Sequence, residues 1–298
     1  MHGDANRVIG SLWLFIVHLR LPFQLILAPI FMLGAFLGGA LPAVRLLLAF
    51  AAVHAGIYGG MTAYNSYYDQ DRGPIGTLKH PRAADRFVRN TALVIQLTAL
   101  LSILVIRPAA AVPAGLLITM GIAYSHPRWR WKRSVWGSLL AVGIGQGLLA
   151  FAIGYLCAGA DVATLLEPTI VLAALGATLI VVGLYPITQV YQIAEDSARG
   201  DRSLAVIVGW RRALGFAATL IAVGVALVGA ALTGRVATIW LGALAGGVIV
   251  FWLLLYVWSR RFESLDAYRN HDWAMGLAVL ASGTFWALII TEWLRELG

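Results

Sequence analysis

Asn65 and Asp69 stand four residues apart at the end of a long apolar run, and Gln192 and Asp196 repeat that spacing at the end of another. Residues four apart share one face of a helix. Each pair therefore presents an amide oxygen beside a carboxylate. Hard divalent cations such as Mg²⁺ take oxygen ligands and keep waters and substrate phosphates in the rest of their shell. Two helix ends of this kind, facing one another, would hold one or two ions over a diphosphate. The surroundings repeat too. Residues 64–73 and 191–200 both read Tyr-(Asn/Gln)-x-x-x-Asp-x-x-Arg-Gly. Arg72 and Arg199 add positive charge beside the anion, and Gly73 and Gly200 end the helices. Asp71, Glu195 and Asp201 bring further carboxylates within reach of a metal, Glu195 being the one expected to face water alone. A plainer reading is that polar residues after an apolar run mark the place where a membrane helix meets water. Interface polarity does not by itself demand the same amide, acid, arginine and glycine spacing twice.

Basic and polar residues elsewhere fit the same chemistry. The segment 73–82 is broken by Gly and Pro and carries Lys79 and Arg82, which either reach a bound anion or set topology. The segment 124–133 alternates Trp with Arg and Lys, as an interfacial belt does. It suits a phosphate-facing rim equally well, with Arg130 and Lys132 as the residues for phosphate. Arg20, in line with Pro22, is expected one or two turns inside the first span. Gln146 lies between Gly145 and Gly147 in an apolar run. It either closes an interhelical hydrogen bond or lines a cavity. His18 and His54 are read as buried structural residues. No Cys/His cluster has zinc spacing, and no nucleotide-binding phosphate loop is present.

These residues need long helices to carry them. Of the 298 residues, 60% are hydrophobic and 12% charged, against about 25% charged in a soluble domain. The mean hydropathy is +0.81. Runs of about 20 apolar residues cross a hydrocarbon core about 30 Å thick, and they lack the alternation of barrel strands. The sequence therefore predicts an all-α polytopic membrane protein, a single domain over 1–298 with motif-bearing halves near 1–134 and 135–298. Spans are expected at 12–38, 43–68, 87–106, 109–125, 135–158, 167–192, 206–232, 236–258 and 272–292, after a short frayed or surface lead. Glycine-rich stretches around Gly34 and Gly38, Gly56 and Gly60, Gly143 and Gly147, and Gly242 to Gly247 are expected to allow close helix contact.

The net charge of +8 is not a nucleic-acid signature, because the basic residues gather in short loops. With a cytoplasmic N-terminus, only Arg45, Arg107, Arg235 and Arg295 of the 22 lysines and arginines fall outside. That asymmetry obeys the positive-inside rule, requires an odd number of spans and places both motifs on the cytoplasmic side. An inner-membrane protein with its C-terminus outside is expected. The single cysteine, Cys157, forms no internal disulfide, and the first apolar run is too long for a cleaved signal core.

At these motifs the chain resembles the UbiA superfamily of intramembrane prenyltransferases, whose motifs are usually Asn-x-x-x-Asp-x-x-x-Asp and Asp-x-x-x-Asp. Asn65 and Asp69 match the first, Gly73 stands at its last position, and Asp71 is the nearest substitute. Asp196 matches the second, while Gln192 replaces its other acid. Arg202-Ser203-Leu204-Ala205 is similar to an Arg-Thr-Leu-Ala stretch of the branch that prenylates dihydroxynaphthoate, and Tyr124-Ser125-x-Pro127 and Gly145-Gln146-Gly147 also look familiar for the superfamily. The resemblance implies nine helices around a central cavity. It implies Mg²⁺ as cofactor, a polyprenyl diphosphate donor, a lipophilic acceptor and the bilayer as surroundings. On that reading Asn65, Asp69, Gln192 and Asp196 serve the metal, and Arg20, Arg72, Lys79, Arg130, Lys132 and Arg199 the diphosphate. Tyr67, Tyr68, Tyr185 and Tyr191 are candidates to shield an allylic cation with their ring faces, and Tyr124 and Gln146 to line the substrate site. Two other functions compete: a terpene cyclase of the same fold, and a non-catalytic membrane subunit or transporter.

Overall fold

The computed structural model describes residues 2–39 and 44–297, so the predicted start of the second span at residue 43 lies outside the described residues. Among the described residues, nine helical stretches are long and apolar enough to cross a membrane. Among the described residues the only β pairing is an isolated bridge between Ile75 and Leu78. The helices are α1 (His2–His18), α2 (Leu21–Leu37), α3 (Val44–Asp69), α4 (Arg86–Ile106), α5 (Pro108–Ser125), α6 (Val135–Cys157), α7 (Pro168–Ile187), α8 (Ile193–Arg199), α9 (Leu204–Leu232), α10 (Thr238–Arg261) and α11 (Ala267–Leu297).

Two departures from the sequence expectation matter for the site. The first apolar run is not one straight helix, and its lead is already helical from His2. Pro22 lacks the N–H that would continue the ladder and crowds the preceding turn. The chain breaks at Arg20, which takes a left-handed backbone with φ 49°. Helix α1 then packs by Phe15 and Leu19 against Tyr64 of α3 and Val88 and Ala92 of α4. The break leaves Arg20 within the first apolar stretch, Ile9–Leu37, buried beside α3. The second departure lies between α7 and α8. Pro186 precedes a loss of regular helix, and Gln192 is the residue capping α8, with φ −104° and ψ 3°. Asn65 and Asp69 share a helix face as expected, whereas Gln192 and Asp196 straddle a helix start.

Close approach of helices rests on glycine at the expected stretches, with one exception. A Cβ on Gly38 would lie 2.6 Å from the Tyr155 carbonyl oxygen, and one on Gly60 would lie 2.5 Å from the Gln96 side chain. Helices α7 and α9 cross at Gly176 and Gly224, where a Cβ on either would meet the other's carbonyl oxygen at 2.7 Å or 2.6 Å. Gly242 and Gly246 of α10 have open space where a side chain would be. Of that stretch only Gly247 faces a neighbouring helix, its added Cβ lying 3.7 Å from the Thr284 side chain of α11. Gly176→Val is expected to lower stability by about 1–3 kcal/mol through overpacking against α9. Gly242→Val should change it little. Thermal denaturation of the two variants in one detergent reads the difference.

Candidate active site

Both motifs reach one cavity. Asn65 and Asp69 line it from the end of α3, Gln192 lines it from the N-cap of α8, and Asp196, Arg199 and Asp201 line it from α8 and the turn that follows. Arg20 and Lys132 line it as well, and Tyr124, Tyr185 and Tyr191 form part of its wall. Below this charged end the lining turns apolar, with Leu27, Met61, Leu117, Val142, Val181 and Leu184. Gln146 also lines it, from a π-helical stretch of α6 (Ala141–Leu149). Such π-turns are frequent at functional sites.

The charged end is a network that joins the two copies of the motif. The Lys132 ammonium donates to Asp69 and, at 3.3 Å, to the Asn65 Oδ1. Ser125 donates to the same Asn65 oxygen at 2.9 Å. Arg130 grips Asp201 with two hydrogen bonds of 3.1 Å and lies 3.8 Å from Asp69. Arg199 donates to Asp71 at 2.5 Å and to Asp196 at 2.8 Å, and lies 3.5 Å from Asp201 and 3.7 Å from Glu195. Arg20 donates to Ser66 at 2.7 Å and lies 4.0 Å from Asp71. Burial, joined by the neighbouring Asp69 charge, raises the Asp71 carboxyl above its ordinary range, and Arg20 and Arg199 pull it back.

Among the described non-glycine residues only Arg20, Gln70 and Arg130 have positive φ. All three flank this network. Backbone strain of this kind persists where the surrounding structure over-determines it, and it clusters at functional sites.

Several residues singled out from the sequence do other things. The Lys79 ammonium pairs with Asp272 at 2.7 Å, half-exposed and outside the cavity. The Arg72 side chain is exposed. Both oxygens of Glu195 accept backbone N–H groups of the first motif, from Arg72 at 2.9 Å and Gly73 at 3.3 Å, so this acid is not merely solvated. The Gln192 amide donates to the Pro74 carbonyl at 3.2 Å. Tyr67 and Tyr68 do not line the cavity. At about 100° of turn per residue Tyr67 points to the side of the helix opposite Asn65 and Asp69, and Tyr68 is turned to their flank. Tyr67 carries the Arg89 guanidinium 5.0 Å over its ring, and Tyr68 packs against Tyr64 and His126. Asp71 is buried between arginines rather than exposed to the cavity. His54 is enclosed by Phe31, Phe50 and Tyr58, as a structural residue would be.

The donor set suits a Mg²⁺ ion that shares its shell with a substrate. Among the described residues no three His, Cys, Asp or Glu side chains are gathered into a metal cage. Mg²⁺ is characteristically held by one or two carboxylates with phosphates and waters completing the octahedron. The Lys132 ammonium already rests on the Asn65 and Asp69 oxygens, so that pair is poised to receive a cation.

Residues 26–289 match the family model of the UbiA prenyltransferase family. The chain belongs to the UbiA prenyltransferase family. Its fold is shared by a UbiA homologue from Archaeoglobus fulgidus bound to geranyl diphosphate and Mg²⁺, at 18% identity with a TM-score of 0.67 over 93% of this chain and 99% of that one. A digeranylgeranylglyceryl phosphate synthase superposes with a TM-score of 0.63 at 18% identity, over 95% and 99% of the two chains. A UbiA homologue from Aeropyrum pernix K1, solved in its apo form, gives 0.60 at 19% identity over 89% and 97%. A search of curated proteins finds no significant match. The nine apolar stretches and the family together make this a multi-pass membrane protein.

Some cavity residues escape the sequence reading although they carry a signal. Gln24, Thr62 and Gln189 line the site and are polar positions within apolar runs. Ser125 stands out in the sequence only as part of a familiar tetrapeptide, whereas in the fold it holds Asn65.

Proposed function

We propose that this protein transfers a prenyl group from a polyprenyl diphosphate to an aromatic or other lipophilic acceptor inside the membrane, with Mg²⁺ as cofactor. The observation that carries this reading is the meeting of Asn65 and Asp69 with Asp196 at the charged end of a cavity whose remainder is apolar. Mg²⁺, when bound, neutralises the diphosphate and stabilises it as a leaving group. Asn65 and Asp69 would hold it on one side, and Asp196, with Gln192 or Asp201, on the other.

The chain's own residues account for the remaining steps. Lys132 and Arg199 line the cavity and pair with acids there. Both cations lie where they would turn from those acids to the phosphate oxygens of a bound diphosphate, with Arg20 beside them. These fixed charges would act where negative charge develops, from side chains that are themselves largely buried. The apolar lining below takes the prenyl tail, which would lie open sideways to lipid. The C1 carbon loses diphosphate and becomes an allylic cation; the acceptor bonds to C1 and gives up a proton, which passes to the departing diphosphate or to water. Tyr185 and Tyr191, which line the cavity, are the tyrosines that would shield that cation. Tyr124, whose hydroxyl lies 2.8 Å from that of Tyr185, fixes the Tyr185 ring. The charged end belongs on the cytoplasmic side of an inner membrane, as the distribution of basic residues supports.

The test supplies labelled geranylgeranyl diphosphate, Mg²⁺ and membrane lipid extract to the purified protein. Label is expected in a lipid product together with free diphosphate, both lost on chelation with EDTA and regained on adding Mg²⁺. A cyclic hydrocarbon formed without extract would select cyclisation instead. Binding of a partner with no diphosphate turnover would select a non-catalytic role.

A further inference from the structure

The last helix reaches over to the cap at 73–82 and holds it in three places. His271 is buried, at 3% exposure, and its Nε2 lies 2.6 Å from the Gly76 carbonyl oxygen. Asp272 pairs with Lys79 at 2.7 Å on the outer edge. The rings of Tyr268 and His80 lie 5.2 Å apart. The His271 ring also meets the Tyr191 ring edge-on at 5.2 Å. One imidazole therefore touches the first motif's cap and the second motif's entry at once. Ile75, Gly76 and Tyr191 line the cavity. Gly76 sits in left-handed backbone with φ +53°, and a Cβ there would lie 3.5 Å from the Arg20 and Phe23 side chains. The height of that turn above the charged end is thus fixed from α11, an element that carries neither motif.

We infer that His271 is a positioning residue, which latches the 73–82 cap over the charged end of the cavity and so sets the fit of the donor's diphosphate head. The Nε2–H donates to the Gly76 carbonyl. Asp272 stands 3.5 Å from the other ring nitrogen while it clasps Lys79. Lys79 contributes by closing the cap, not by touching phosphate. This role rests on the prenyl-transfer reading of the site for its consequence, and on geometry alone for the latch.

The test uses the full chain in lipid nanodiscs, with Thr77→Cys as a probe in the cap. Cys157 is buried and does not compete for a membrane-impermeant maleimide. His271→Ala is expected to speed labelling at position 77 roughly tenfold, as local opening becomes more frequent. It should raise KM for geranylgeranyl diphosphate by roughly three- to tenfold, the worth of one hydrogen bond, with kcat within a factor of two. His271→Gln, which can place an amide N–H where Nε2 was, should restore both. Asp272→Asn cuts only the exposed clasp and should speed labelling by a smaller factor, so the latch stays testable where His271→Ala folds poorly. Unchanged labelling in His271→Ala and Asp272→Asn overturns the latch. Faster labelling with an unchanged KM overturns its role in donor fit. A wild type that turns over no polyprenyl diphosphate would sink the reading of the site, and the labelling rates would then decide the latch by themselves.

Discussion

Asp69→Ala and Asp196→Ala each reduce diphosphate release from a polyprenyl diphosphate by roughly a thousandfold, the scale expected when a group that organises charge in the transition state is removed. The two acids lie on different elements, α3 and α8, yet line the same cavity. On the proposed reading, loss of either would leave the ion held from one side. Mn²⁺ in place of Mg²⁺ gives a readout independent of turnover, because its electron paramagnetic resonance signal reports bound and free ion directly. Both variants should weaken Mn²⁺ binding in the presence of a non-hydrolysable diphosphate analogue. Asp71→Asn should behave differently. Asp71 is buried against Arg199 and does not line the cavity, so this change should leave ion affinity nearly intact. Diphosphate release that persists in Asp69→Ala or Asp196→Ala would remove those residues from the proposed ligand set.

The repeated spacing makes this pair of acids legible in the sequence itself. Helical periodicity brings Asn65 and Asp69 to one face, and apolar run lengths suffice to place α3 and α7 across a membrane. What periodicity does not show is where helices stop being regular. Pro22 and Pro186 are plain to see, but whether a proline bends, breaks or merely ends a helix depends on what satisfies the freed backbone groups. At Pro22 the break turns Arg20 into the site, and after Pro186 it moves Gln192 off the helix face of Asp196. The partner of each charge is equally hidden. Lys79 and Lys132 look alike in sequence, both being lysines in short basic loops. Lys132 comes to rest on Asp69, while Lys79 meets Asp272 from a segment 193 residues away. The tyrosines divide by the same rule. Tyr124 and Tyr185 fall on inward faces, whereas Tyr67 and Tyr68 fall on the face that packs against Arg89 and His126.

Those pairings suggest why the second motif tolerates Gln192 in place of an acid. Gln192 and Glu195 spend hydrogen bonds on the backbone of the first motif's cap, at Pro74 and at Arg72 and Gly73. A carboxylate at position 192 could not donate to the Pro74 carbonyl, while an amide can. The motif copies are thus joined by direct hydrogen bonds as well as through any shared ligand. Asp201, gripped by Arg130 and facing the cavity, is the acid best placed to replace the missing charge.

Arg199→Met should destabilise the protein by about 3–5 kcal/mol, the cost of removing one partner from a buried ion pair. The guanidinium is hydrogen-bonded to Asp71 and Asp196 and lies near Asp201 and Glu195. The Asp71 side chain is 1% exposed and Asp201 is 5% exposed, so neither carboxylate can recover its hydration without local unfolding. Arg130 still compensates Asp201, but among the described residues Arg20, at 4.0 Å, is the only other cation beside Asp71. Arg199→Lys keeps the charge but loses the planar fork that serves two acids at once, and should fall between Met and wild type. The decisive comparison is the double variant Asp71→Asn with Arg199→Met. If the cost comes from stranded charge, removing Asp71 as well should recover a good part of the lost stability, because eliminating both members of a buried pair is far less damaging than eliminating one. Denaturant midpoints in a fixed detergent, with the Asp71→Asn single variant completing the cycle, measure the coupling. A double variant that is simply the sum of the two singles would mean that Arg199 does not bind the two motif ends together, and that some other contact keeps Asp69 and Asp196 on one cavity.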